Sequence, residues 1–294
     1  VTFAEYGKET QSDFFKAWLR SQYAQKIRKR KKGAKPEDYD LIGTEYYRWV
    51  KDNQQLIGLT TGEDFHRWVL KDLEYFARVY VMLLDASKRR TKGLASIRYN
   101  ADNGFTQQLQ LLMAPLCVDD GRKVTKQKVA LVADFLDCWL NRRLWNFKPI
   151  SYSSLQQTVF LLCKDIRNIS IDKLRTYLVE RLGTENIDLS FRKATCIKQR
   201  SAKNVHRQLA RFIDWLEQQT GQPGRYEDYV ICRGKNAYVI EHVWSEKHVL
   251  HKNEFPQRES FEEWRNMIGG LLLLPVKQTM KLKEAKYQKK MSSY

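Results

Sequence analysis

Apolar residues recur at helical spacing along most of this 294-residue chain. Phe14, Phe15, Trp18 and Leu19 form one stripe, and Phe65, Val69, Leu73 and Phe76 form another. Val129, Val132, Phe135, Leu136, Trp139 and Leu140 form a third, which Leu144, Trp145 and Phe147 extend. Leu155, Val159, Leu162 and Ile166 follow, then Leu174, Leu178 and Leu182 before Gly183. The last stripe is Val205, Leu209, Phe212, Ile213 and Leu216, closed near Gly221 and Pro223. Spacing of this kind places side chains on one face of a helix, where packing is their ordinary role. No internal repeat is evident. The expectation is a helical body over residues 1–225.

The texture changes after Pro223. Tyr229 to Cys232 and Ala237 to Ile240 are short β-prone runs, and Arg233-Gly234-Lys235-Asn236 between them reads as a hairpin turn. Phe261 to Met267 reads as helical, Leu271 to Leu274 as extended, and Lys281 to Met291 as a basic helix. The chain is therefore expected to be mainly α, with a small strand-containing module over residues 226–294. The boundary is expected between residues 220 and 237.

Lys and Arg number 52 against 34 Asp and Glu, a formal charge of +18. A surplus of that size favours polyanions such as DNA, RNA or an acidic membrane surface. The run Lys26-Ile27-Arg28-Lys29-Arg30-Lys31-Lys32, closed by Gly33 and Pro36, suits phosphate contact or a solvated helix end equally well. No apolar run reaches the roughly 20 residues that a membrane helix needs, and no signal peptide opens the chain. Five cysteines (Cys117, Cys138, Cys163, Cys196, Cys232) are scattered without metal-ligand spacing. Cys138 and Cys163 fall inside apolar segments, so buried thiols in a reducing cytoplasm are expected. The chain opens on Val1 rather than Met, so a piece of something longer is expected.

Candidate chemistry gathers in Tyr238-Val239-Ile240-Glu241-His242-Val243-Trp244. Glu241 offers a hard oxygen suited to Mg²⁺ or Mn²⁺, and His242 offers a base that titrates near neutrality. Successive strand residues point to opposite faces. The two can therefore share a site only where the strand ends and the chain twists. Hydrolysis of a phosphodiester needs an activated water and stabilisation of charge on the phosphate. His248 and His251 lie in a polar stretch and read as surface residues; His66 and His206 lie in helical patterns and read as structural. A zinc-type Cys/His grouping, a phosphate-binding glycine loop and a serine elbow are all missing from the sequence.

Val239-Ile240-Glu241-His242-Val243-Trp244, Phe255, Phe261 and Trp264-Arg265-Asn266-Met267-Ile268-Gly269-Gly270-Leu271-Leu272-Leu273-Leu274-Pro275 together resemble the HNH nuclease module of GmrSD-type restriction proteins. Leu140 to Phe147, Tyr152 to Gln156, Gly234 to Tyr238, Leu41 to Tyr46 and Tyr99 to Ala101 are similar to the helical region before that module. The resemblance covers most of the chain and implies its C-terminal half. It implies a ββα-metal (HNH) module after the helical body, and a cytoplasmic DNA endonuclease in modification-dependent (Type IV) restriction of phage. The substrate it implies is DNA, modified phage DNA in particular, cut with Mg²⁺ or Mn²⁺. It further implies an N-terminal nucleotide-hydrolysing domain as partner. No membrane partner is expected, since no apolar run is long enough to span a bilayer, and a double-strand break made from two nicks would require a homodimer or sequential action.

Carried over by position, His242 would be the general base, Glu241 a metal ligand or orienting carboxylate, and Asn266 an orienting residue. The family carries an Asn on the helix after Leu-Leu-Pro, where this chain has Thr279, and Glu284 stands at the next ligand position. Tyr287 and Lys290 match the closing Tyr and Lys of the family's pattern. Glu241, Thr279 and Glu284 would thus be the metal set, with Arg265, Lys277, Lys281, Lys283 and Lys290 on the DNA backbone. Two other functions fit the same residues: a DNA-binding module whose nuclease site has degenerated at Thr279, or a scaffold that docks the nucleotide-hydrolysing domain.

Overall fold

The structure is a computed structural model that describes residues 3–184, 201–282, 285 and 287–292. Helix dominates, and the described strands form one two-stranded sheet near the C-terminus. The chain divides into two compact units, Val1–Ile187 and Asp188–Tyr294. The division falls earlier than the expected 220–237. Helix Ala202–Gln219, assigned by its stripe to the first body, packs on the sheet of the second unit.

In the first unit, α1 (Thr10–Gln22), α2 (Asp38–Asp52) and α3 (Gly62–Arg67) lead through a π-helical segment into α4 (Glu74–Lys88). Then come α5 (Ala95–Asp102), α6 (Gln108–Met113), α7 (Arg122–Trp145), α8 (Tyr152–Asp165) and α9 (Ile171–Gly183). The apolar face of α1 buries Phe14, Trp18 and Leu19 completely. Trp18 stacks on Trp68 at 5.0 Å and on Phe76 at 5.5 Å. The last turn of α1 leaves carbonyls that its own backbone cannot satisfy. Arg167 meets them: its guanidinium donates to the carbonyls of Ser21 (2.6 Å), Arg20 (3.0 Å) and Ala24 (2.7 Å). On α7, Val129, Val132, Phe135, Leu136, Trp139 and Leu140 are all buried, as their spacing predicts.

Three expectations fail on geometry. Cys163 is buried, but Cys138 is exposed, because it falls opposite the face that carries Leu136 and Leu140. Phe65 and Val69 stay exposed, and Trp68 takes the core position of that turn. Phe212 and Leu216 are likewise exposed, while Val205, Leu209 and Ala210 carry the buried face of Ala202–Gln219. Truncating Trp18 to alanine should cost the first unit about 3–5 kcal/mol through the lost rings and the cavity left behind. Urea unfolding followed by hydrogen exchange of α1 and α4 amides checks this.

The second unit comprises α10 (Ala202–Gln219), α11 (Tyr226–Ile231), β1 (Tyr238–His242), α12 (Arg258–Arg265), β2 (Leu271–Pro275), α13 (Val276–Leu282) and α14 (Tyr287–Met291). The run Tyr229 to Cys232, expected as a strand, lies mostly in α11. Asp214, buried on α10, accepts from the Tyr226 amide at 3.0 Å and starts that helix. Arg233 to Asn236 therefore makes a 3-10 turn and not a hairpin, and β1 finds its partner much later in the chain. β1 and β2 pair antiparallel, from Tyr238 opposite Pro275 to His242 opposite Leu271. The Val243 amide extends the ladder to the Gly270 carbonyl at 2.9 Å. A β-carbon on Gly270 would come within 3.2 Å of the Arg265 carbonyl, so glycine lets β2 leave close against the end of α12. The basic tail, expected as one helix from Lys281 to Met291, is instead two short helices, α13 and α14.

Candidate functional site

Between β1 and α12 the chain builds its own small core. Trp244, His251, Phe255 and Phe261 pack ring on ring, with His251 over Phe261 at 5.1 Å and Trp244 against Phe255 at 5.2 Å. His251 is buried rather than on the surface, and His248 hydrogen-bonds through Nε2 to the Phe255 carbonyl at 2.7 Å. Both histidines hold the loop. His206 bridges from α10 to the Tyr238 carbonyl at 2.9 Å, a structural role.

This aromatic cluster fixes α12, and α12 ends at Asn266, which is buried. The Asn266 amide nitrogen donates to the Glu262 carbonyl at 2.5 Å, one turn back. Its oxygen therefore faces the other way and accepts from His242 Nε2 at 3.1 Å. An oxygen acceptor at Nε2 puts the proton on that nitrogen and leaves Nδ1 as the lone-pair atom. His242 is half-buried at the last residue of β1. Its pKa is held down to about 4, by burial first and by the Arg265 charge second. The Asn266 bond and Glu246 pull it upward, and Lys290 pushes it further down. The ring is thus neutral throughout the physiological range. NMR titration of its imidazole protons should give a midpoint near 4, well below the ordinary 6.5, and a midpoint above 6 would contradict this geometry.

Arg265, next to Asn266, donates from Nε to the carbonyls of Trp244 and Ser245, both at 3.2 Å. This brings a cation close to His242. His242, Asn266 and Arg265 are thus brought together.

Glu241 is not part of that group. It precedes His242 on the same strand, and successive residues project to opposite faces. Its side chain is 7% exposed and accepts from Lys290 Nζ at 2.5 Å. Lys290, expected on the DNA backbone, is itself 1% exposed and donates also to the His242 carbonyl at 2.8 Å. It is out of reach of a phosphate. Lys277 and Lys281, by contrast, are exposed on α13. Lys283 and Glu284 lie outside the described residues. Thr279 sits on α13 with its hydroxyl oxygen buried and unpartnered.

Of the residues expected to hold a divalent ion, the two that are described, Glu241 and Thr279, do not fit one. The Glu241 carboxylate is engaged by the Lys290 ammonium, and Thr279 offers a neutral hydroxyl whose oxygen is buried. Among the described residues no three His, Cys, Asp or Glu side chains come together as a ligand group. Sequence reasoning missed the place of Lys290, because one lysine in the run Lys286-Tyr287-Gln288-Lys289-Lys290 carries no local mark of burial.

Comparison with family models, with curated proteins and with solved structures finds no match. No helix among the described residues is long and apolar enough to cross a membrane.

Proposed function

We propose that the second unit is an HNH-type module that hydrolyses DNA phosphodiester bonds, and that the protein acts in modification-dependent restriction of phage. The observation that carries this reading is the His242–Asn266 pair at the end of β1: a neutral imidazole with one nitrogen fixed and the other bare. The antiparallel pair β1–β2, joined through α12 and followed directly by α13, supports a ββα reading. In this reading Nδ1 of His242 takes a proton from water as its oxygen attacks phosphorus. The bond to the leaving sugar oxygen breaks, and that oxygen takes a proton from solvent. Asn266 keeps the ring in its tautomer, and Arg265 offsets charge on the phosphate. A bound phosphodiester also places negative charge beside the imidazole. That raises its pKa toward the range in which a general base works best. Lys277 and Lys281 would hold the backbone without reading sequence.

A second reading, a DNA-binding module that does not cut, is favoured by two observations: Glu241 is paired with Lys290, and Thr279 stands where the family the sequence resembles carries a ligand.

Supercoiled plasmid incubated with the chain under Mg²⁺, Mn²⁺ or EDTA separates the two. The nuclease reading expects nicked or linear product that His242→Ala abolishes. Equal cutting by His242→Ala overturns it. Salt-sensitive binding with no cutting under any of the three conditions supports the second reading.

A further inference from the structure

One buried cation is left unused by the chemistry above. Lys290 comes from α14, 48 residues along the chain from His242, and is 1% exposed. Two of its donors are committed, one to the Glu241 carboxylate at 2.5 Å and one to the His242 carbonyl at 2.8 Å. Both acceptors are hard oxygens on the last two residues of the catalytic strand, the ligand type that a Mg²⁺ or Mn²⁺ ion prefers. An ammonium already fills that place.

We propose that Lys290 is the resident cation of this module: it takes the carboxylate that a divalent ion would otherwise use, and it fastens the final peptide of β1 so that His242 meets Asn266. Two physical points support it. Mg²⁺ dehydrates reluctantly and normally keeps several waters, and a carboxylate 7% exposed beside a buried lysine leaves no room for them. A buried charge is tolerated only when paired and hydrogen-bonded, and the pairing here accounts for both Glu241 and Lys290. Lys290 is thus a positioning residue that acts through the His242 carbonyl. The positioning half of this inference rests on the reading of His242 as a base; the metal half does not.

Mn²⁺ titration of the intact chain, read by the electron paramagnetic signal of free Mn²⁺ and by paramagnetic broadening of backbone amides, tests the metal half. In the wild type the amides from Val239 to Val243 should keep their intensity, and Glu241→Gln should leave the Mn²⁺ isotherm unchanged. Lys290→Ala should raise Mn²⁺ affinity at least tenfold, and Glu241→Gln in that background should remove the gain. Selective loss of the Val239–Val243 amides in the wild type overturns the proposal, and needs no variant to fold. The positioning half is read on cleavage. Glu241→Gln with Lys290→Met should recover thermal stability relative to Lys290→Met alone, while kcat stays at least tenfold below wild type with KM unchanged. A double variant that cuts at the wild-type rate overturns it. Absence of cutting by the wild type would defeat the nuclease reading and the positioning role together, and the Mn²⁺ result would still stand or fall alone.

Discussion

Replacing Lys290 by methionine is expected to destabilise the second unit by about 3–5 kcal/mol, because a buried carboxylate is left without its counter-charge. A small unit has little margin against a loss of that size, so partial unfolding at ambient temperature is the expected result. The direction of rescue is as informative as the loss. Substituting Glu241→Leu in the same chain removes both charges together, and exchanging a buried ion pair for apolar residues of similar volume is often neutral or stabilising. The double variant should therefore recover most of the lost stability. Hydrogen exchange localises the effect: the β1 and β2 amides from Tyr238 to Val243 and Leu271 to Pro275 should lose protection in Lys290→Met, while those of α7 in the first unit should not change. A variant as stable as the wild type would mean that the pair contributes nothing to the sheet.

Removing the imidazole at position 242 is expected to lower DNA cleavage by roughly 10²–10⁴-fold, the usual contribution of a positioned general base. Affinity for DNA should change little, since the exposed lysines of α13 lie elsewhere in the chain. Asn266→Ala should fall between wild type and His242→Ala, because it frees the ring to take the other tautomer without removing it. The pH profile has a definite sign. A base must be unprotonated to work, and His242 in the free protein is protonated only below about 4. For kcat/KM, which reports the free enzyme, the acid limb should therefore lie near pH 4, with a flat region above pH 5. A limb at pH 6.5 would mean an imidazole in ordinary solvent, and hence a site that does not have the geometry described above.

The parts of this architecture that were legible in sequence are those set by local periodicity. The six apolar residues of α7 from Val129 to Leu140 are buried in the pattern their spacing predicts. Leu271 to Leu274 forms a strand, as its extended apolar run predicts. What was illegible depends on contacts made far along the chain. Tyr229 to Ile231 is β-prone by composition, but the buried carboxylate of Asp214 starts a helix at Tyr226. The partner of β1 is not the neighbouring run but β2, which follows in the chain after the aromatic loop packed around Phe261. Cys138 lies on a strongly apolar helix yet on its wet side. Lys290 reads as one of many surface lysines, and only the tertiary fold sets it against Glu241.

The order in which these groups leave the ribosome gives the Arg265, Asn266 and His242 cluster a particular history. The strand that carries the imidazole is synthesised well before the ammonium that fastens it. On the proposed reading, a nascent or prematurely terminated copy ending before residue 290 has the exposed Lys277 and Lys281 of α13 but an unanchored strand end. On that reading such a copy would bind DNA without breaking it, so that the capacity to cut waits for residue 290 to emerge and pair with Glu241.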